Sequence, residues 1–279
     1  MNSPKIQRLT VKGSQVAYAC LGRGPPVIMV HCSSASHREW LFAAHRLAGD
    51  FTCWLPDLMG YGKSPTQHDA DGVVVPCRDV DIIDAIVDQA GEPADFIAHS
   101  YGAAVCLEYA LERPERVKSL FLIEPVPFHL LNDGKHQREW EQVCNVAEKI
   151  IHLDATGQPK RAADQYMRFW LGRIQWAFAP RRFKSNVIKT IPKVAYEFSL
   201  VFTLPDVSGQ LTELNLPTTL VSGNRSRAPA LAVVDILAGK LPQSLHIVIS
   251  GAGHMSPFTH SDQVMGLISE HLSNVSGGA

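Results

Sequence analysis

Residues 95–104 read Asp95-Phe96-Ile97-Ala98-His99-Ser100-Tyr101-Gly102-Ala103-Ala104. A short apolar strand runs into His99, a helix of small and apolar residues leaves from Tyr101, and a serine stands at the junction. Ala98 and Gly102, two residues to either side of Ser100, are both small. A chain that turns this sharply brings those positions against one another, and larger side chains would collide. The turn pushes the serine hydroxyl out at the carboxyl end of a sheet and aims the first N–H groups of the following helix at the same place. Ser100 is therefore a candidate nucleophile on an α/β scaffold.

The flanking sequence keeps that rhythm. Ile6–Val11 and Gln15–Cys20 predict two strands around a turn at Gly13. Val27–Val30 is apolar throughout, the pattern of a strand buried on both faces of a parallel sheet. A helix is expected over 36–48, a strand over Phe51–Leu55, and a helix over Asp79–Gln89 with Ile82, Ile83, Ile86 and Val87 on one side. Phe96–Ala98 and Val117–Ile123 are further strands. Between them lies a helix over Ala103–Leu111 that Pro114 brings to a close. Alternation stops after Pro125 and resumes with a strand at Thr218–Ser222, a helix over Ala230–Ala238, a strand at Leu245–Ile249 and a helix over Gln263–Ser273. The intervening stretch is helical in pattern and rich in aromatics. We read residues 1–125 and 214–279 as one α/β core and 126–213 as a helical cap inserted into it. The tail Ser276–Ala279 is expected to fray.

Hydrophobic residues make up 46% of the 279 and charged residues 19%, enough for a sizeable buried core and too apolar for disorder. A net charge of −1 argues against nucleic-acid or anionic-membrane binding as the main business of the chain. Six cysteines with no C-x-x-C pair, and a Met1–Lys5 start without an apolar stretch, point to a reducing, cytoplasmic setting. No run approaches the roughly 20 apolar residues that span a bilayer. Self-association is left open.

A serine nucleophile needs a base, a carboxylate to orient the base, and N–H donors for the developing oxyanion. The base expected here is His254, in the Gly-rich loop Ser250-Gly251-Ala252-Gly253-His254 just past the last strand. The donors expected are the backbone N–H groups of Tyr101 and Ser33, the latter in the loop His31-Cys32-Ser33-Ser34. His31 is read as a brace for that loop. The remaining histidines, His68, His99 and His271 among them, take structural readings.

Four marks in order carry a family resemblance: His31 with Trp40 nine residues on, Asp57-Leu58-Met59-Gly60-Tyr61-Gly62-Lys63-Ser64 after a strand, the Ser100 turn, and Gly253-His254. The chain resembles the α/β-hydrolase superfamily with a helical cap, over essentially its whole length. The resemblance implies a mostly parallel sheet of about eight strands, the chain order Ser…acid…His, and no cofactor or metal. Three positions depart from the family pattern. Ala98 stands where glycine is usual, and Cys32 follows His31 where glycine is usual. Ser226 stands in Gly223-Asn224-Arg225-Ser226-Arg227 where an aspartate is common. Some relatives take the acid from the end of the strand after the nucleophile helix, and Glu124 in Leu122-Ile123-Glu124-Pro125 occupies that place. Glu124 is assigned as the acid, since an unpaired buried carboxylate is costly. Asp235, on a helix, is the weaker candidate, and Asp57 is expected to tie down the Gly60–Gly62 loop.

These residues predict a carboxylesterase-like serine hydrolase that acts through Ser100, His254 and Glu124 on a small-to-medium, mainly apolar ester. Two alternatives stand beside it: a carbon–carbon bond hydrolase or lactonase using the same residues, and a hydrolase-like ligand sensor with little turnover. Arg225 and Arg227 are expected near the site, where they could clamp a carboxylate or serve in structural pairing. The basic run Pro180–Lys184 reads as a solvated helix face.

Overall fold

A computed structural model describes residues 4–66 and 77–277. The first three residues, His68 and the last two residues of the tail lie outside those bounds. The amino-terminal hairpin pairs β1 (Ile6–Val11) with β2 (Ser14–Gly22) about the turn at Gly13. There follow β3 (Pro26–Val30), α1 (Leu41–Leu47), β4 (Thr52–Pro56), α2 (Asp79–Ala90), β5 (Ala94–His99), α3 (Tyr101–Glu112) and β6 (Val117–Ile123). The 36–48 segment is not one helix. Ser36 caps a 3-10 turn at His37–Trp40, and only then does α1 begin.

Among the described residues no strand interrupts 126–213. That stretch holds α4 (Gln137–Ala155), α5 (Pro159–Phe178), α6 (Arg181–Ser199) and α7 (Ser208–Glu213), with α5 broken at Gly172. The chain then returns to the sheet through β7 (Thr218–Gly223), α8 (Ala228–Lys240) and β8 (Ser244–Ile249), and ends in α9 (Ser256–Thr259) and α10 (Ser261–Ser276).

All eight strands form one sheet in the order β1-β2-β4-β3-β5-β6-β7-β8. β1 and β2 run antiparallel to their neighbours, and β3 through β8 are mutually parallel. The central strands are apolar because both faces are covered. All five residues of β3 and all six of β5 are buried. Alternate side chains divide between two cores. Ile28, Phe96, Leu120 and Leu122 join α2, α3 and α8 on one face, while Met29, Ile97, Phe121 and Ile123 join α1 and α10 on the other. Each such side chain, fully buried, contributes about 1.5–3 kcal/mol.

Register places the chemistry. β5 and β6 pair Ala98 with Leu122 and His99 with Ile123, so the next residues, Ser100 and Glu124, leave the sheet side by side. Both remain tied to it: Ser100 N–H donates to the Ile123 carbonyl at 2.9 Å, and Glu124 N–H to the Val221 carbonyl at 2.9 Å. On the far side, β8 ends opposite Gly223 at Ile249, five residues before His254.

Candidate active site

Ser100 has φ 55° and ψ −119°, a backbone conformation that side chains other than glycine rarely adopt. The turn is held by close packing below it. A Cβ at Gly102 would stand 2.4 Å from the His31 carbonyl oxygen, so only glycine lets α3 start this near β3. Tyr101 opens α3, and its N–H therefore has no acceptor within the helix.

The Ser100 hydroxyl lies 2.9 Å from His254 Nε2, and His254 Nδ1 lies 2.7 Å from Glu124 Oε2. All three side chains are buried, Glu124 completely. Glu124, like Ser100, has a positive φ, 40°. Its Oε1 accepts the Gly223 N–H at 2.8 Å and the Ser226 hydroxyl. Ser226, at the position where the family pattern commonly has an aspartate, thus donates to Glu124. Burial pushes the Glu124 carboxyl up, but the bonds from His254, Ser226 and Gly223 outweigh it and hold the group below the usual carboxylate range. Glu124 is an anion at neutral pH, so Nδ1 carries the His254 proton and Nε2 is left to accept from Ser100. Burial also lowers His254 from its ordinary value, despite the opposing pull of Glu124. Above the site, the Trp170 indole of α5 stacks on the His254 ring, with centroids 3.7 Å apart at 15°.

The loop after β3 carries the second expected donor. Cys32 O accepts from Ala35 N–H at 3.2 Å and faces His31 Nδ1 at 2.7 Å, while His31 Nε2 accepts the Leu58 N–H at 3.1 Å. His31 is the brace its position suggested. A peptide is planar and trans, so pinning the Cys32 carbonyl also fixes the opposed Ser33 N–H. Ser33 borders a small cavity of about 40 Å³ together with Ser100, Tyr166 and Trp170. Asp57 does tie down its loop. It accepts the Lys63 N–H at 2.8 Å and the His37 N–H at 2.7 Å, and a Cβ at Gly62 would collide with its carboxylate.

Two buried carboxylates at the site had no signal in the sequence, because their partners lie far away along the chain. Glu39 accepts the Cys32 N–H at 2.8 Å and faces His99 Nδ1 at 2.6 Å, and His99 Nε2 faces the His254 carbonyl at 2.8 Å. Both ring nitrogens of His99 thus meet oxygen atoms, one from a carboxylate and one from a backbone carbonyl. Burial pushes Glu39 up, and His99 beside it brings it below the usual range. Cys32, Glu39 and His99 also form the group of metal-type donors found close together among the described residues. Their hydrogen bonds to one another and to His254 make this cluster a brace across three loops. Glu197 of α6 accepts from Ser33 Oγ at 2.5 Å and Tyr61 OH at 2.6 Å. Burial raises its carboxyl to about 7 against the attraction of Lys193.

Of the two readings of Arg225 and Arg227, the structure favours structural pairing over a substrate clamp. They line neither cavity that borders Ser100. Both are exposed, and Arg227 Nη2 donates to the Arg168 carbonyl of α5 at 3.2 Å. With Ser226 turned inward to Glu124, its neighbours on either side turn outward. Asp235, the weaker acid candidate, is exposed on α8 with a side-chain nitrogen of His246 4.0 Å away, while His254 Nδ1 meets Glu124.

The small cavity at Ser100 shares Ser33, Tyr166 and Trp170 with an outer pocket of about 210 Å³, bordered by Arg38, Phe183 and Phe258. It shares Tyr101, Val126, Phe128 and Glu197 with a larger, mainly apolar one of about 440 Å³ beside α3. No helix of the described residues is long and apolar enough to cross a membrane.

A sequence model of the alpha/beta hydrolase family matches residues 27–267. The pimeloyl-(acyl-carrier protein) methyl ester esterase of Aeromonas salmonicida (strain A449) is 23% identical over 261 residues, covering 88% of this chain and 95% of that protein. Among solved structures, a thermophilic esterase from Thermogutta terrifontis superposes with a TM-score of 0.75 at 21% identity, covering 96% of this chain and 99% of that one. An alpha/beta hydrolase from Sphaerobacter thermophilus does so with a TM-score of 0.74 at 20% identity, covering 95% and 100%. At these identities the structural likeness speaks to the fold.

Proposed function

The chain belongs to the alpha/beta hydrolase family, and from that premise we propose that it cleaves carboxylic esters through Ser100, His254 and Glu124. The observation that carries the reading is the unbroken relay from Ser100 Oγ to His254 at 2.9 Å and on to Glu124 at 2.7 Å. His254 Nε2 takes the hydroxyl proton as Ser100 attacks the acyl carbonyl, and Glu124 stabilises the imidazolium that forms. The Tyr101 and Ser33 N–H groups receive the oxyanion. The alcohol leaves with the proton from His254, and water, activated in turn by His254, releases the acyl group. Burial that lowers His254 keeps it neutral, and so able to act as a base, at neutral pH.

In this reading residues 126–213 are a cap over a core of 1–125 and 214–279. The stacking of Trp170 on His254 supports it, because it lays a side chain of this stretch over one face of the base. The substrate is an ester with a mainly apolar arm. One arm occupies the outer pocket of about 210 Å³ and the other the apolar cavity of about 440 Å³ beside α3. The names of the curated relatives, esterases of a methyl ester on a carrier protein, agree with ester chemistry. The proposal includes a cytoplasmic setting, in which the six free cysteines stay reduced.

The test is hydrolysis of p-nitrophenyl esters of rising acyl length by the wild type beside Ser100→Ala. Turnover that peaks with length and drops by about 10⁴ or more in the variant is the expected result. Equal rates in both proteins would remove Ser100 from the chemistry.

A further inference from the structure

The loop that carries the Ser33 N–H is not held by the core alone. Cys32 O and Ala35 N–H close a four-residue turn whose third residue, Ser34, has φ 59°. That is the place in a type II turn where glycine or asparagine belongs. A serine there is strained, because its Cβ crowds the backbone. Left to itself the turn would relax to the commoner form, in which the peptides around Ser33 and Ser34 point elsewhere.

Contacts that offset the strain come from a single face of α6. Asn186, Thr190, Lys193 and Glu197 fall at helical spacing; the last three are buried, and Asn186 is exposed at the edge of the same face. Asn186 Nδ2 donates to the Ser34 carbonyl at 2.7 Å. Thr190 Oγ1 lies 2.7 Å from Ser34 Oγ, and its own proton goes to the α6 carbonyls of Asn186 and Val187, so Ser34 is the donor in that pair. Glu197 Oε2 accepts the Ser33 hydroxyl at 2.5 Å, with Tyr61 OH on its other oxygen. The helix is itself anchored beside the nucleophile. Lys193 Nζ reaches Asp79 at 2.6 Å, and Asp79 accepts the Tyr101 hydroxyl at 2.8 Å. One helix face therefore touches Ser33, Ser34 and, through Asp79, the residue after Ser100.

We propose that α6 positions the oxyanion donor: Asn186 and Thr190 hold Ser34 in its left-handed turn, and Glu197 holds the Ser33 side chain, so that the Ser33 N–H faces the carbonyl bound at Ser100. The proposal rests on the reading of Ser100 as nucleophile and Ser33 N–H as an oxyanion donor. These are positioning residues, which touch no reacting atom. Their effect falls on the transition state, where the negative charge appears, and leaves ground-state binding alone. In this view the helices between β6 and β7 complete the catalytic centre as well as covering it. A shift of α6 would disable turnover while the substrate still binds.

Glycine at position 34 provides the discriminating experiment, because it adopts the left-handed turn without help. Steady-state hydrolysis of p-nitrophenyl butyrate is measured for wild type, Ser100→Ala, Asn186→Ala/Thr190→Val, and that double variant with Ser34→Gly added. The expected result is a double variant with kcat down about 10²-fold and KM within about threefold, the signature of a misplaced group. Adding Ser34→Gly should recover most of kcat. Unchanged kcat in the double variant, a loss confined to KM, or a loss that glycine does not recover would overturn the proposal. Activity equal in wild type and Ser100→Ala would instead overturn the nucleophile reading on which it rests. Thermal melts accompany each variant. If the double variant fails to fold, Ser33→Ala, which keeps the N–H and removes only the handle to Glu197, takes its place. A kcat within twofold of wild type in that variant, marking a side chain that positions nothing, would count against the proposal.

Discussion

Glu124 meets two demands that local sequence preferences oppose: a left-handed backbone and a fully buried carboxylate. Three hydrogen-bond donors satisfy it, and the cost of removing its charge falls on His254. Glu124→Gln keeps the size but loses the acceptor that fixes the His254 tautomer, and kcat should fall by about 10²–10⁴-fold. The pH profile adds a second readout. His254 is lowered by burial and only partly restored by Glu124, so kcat/KM in the wild type should climb through an ionisation below 6.5. With Gln at 124 the restoring charge is gone, and whatever activity remains should rise at a still lower pH. A limb that moves upward would contradict this. Glu39 and His99 form the other buried pair. His99→Leu leaves the buried Glu39 carboxylate without its ring hydrogen-bond partner, a loss of about 1–3 kcal/mol that a urea midpoint would report. Of these groups the sequence exposed Ser100, His254 and Glu124, because each sits at the end of a recognisable strand. Glu39 and Glu197 were illegible for a physical reason: their partners, His99 and Ser33, are brought to them only by the tertiary fold.

Among the elements, α10 shows how a helix can be docked by a polar residue inside an apolar contact. His271 faces Ser119 Oγ of β6 at 2.8 Å and Thr219 Oγ1 of β7 at 2.9 Å. Ser119 spends its proton on Asp95, so His271 Nε2–H donates to Ser119 and Nδ1 accepts from Thr219, an arrangement that needs the neutral ring. Burial lowers His271 from 6.5 to about 4. A folded value below the unfolded one means the unfolded chain binds the proton first. The contribution is complete above pH 6.5 and is lost as pH falls toward 4, by up to about 3 kcal/mol. Urea midpoints measured from pH 7 to pH 4 should fall across that window, and more shallowly in His271→Gln. The strands were the most legible elements, since β3, β5 and β7 are buried along their whole length, and β3 and the centre of β5 read as apolar runs. The helix expected over 36–48 was the clearest miss. Ser36 and the apolar spacing do encode a helical start, but Asp57 captures both the His37 N–H and its ring and tightens the first turn. No local pattern reports a partner 20 residues away. Arg227 is a similar case, drawn to a carbonyl of α5 rather than to the site.

For the molecule as a whole, the two cavities flanking Ser100 set an expectation for substrate size. If the larger one beside α3 holds the acyl arm, kcat/KM should rise from acetyl to octanoyl esters. Ala104→Trp, which fills that cavity, should lower the octanoyl rate by about tenfold or more and leave the acetyl rate within a few-fold. Equal losses for both esters would move the acyl arm to the outer pocket. The α/β layout was legible from the alternation of apolar runs and turns, whereas the crossing of β3 and β4 in the sheet order was not. Nor was cavity shape, because its walls come from segments far apart in the chain, such as Tyr101, Phe128 and Val201. The place of Glu124, on the strand beside Ser100, has one practical sequel. The turn between α4 and α5 is exposed at Gly157, a site suited to cutting the chain. Such a cut would leave Ser100, Glu124 and both expected oxyanion donors on one piece and His254 on the other. Esterase activity returned on mixing the two pieces would then count reassembled molecules.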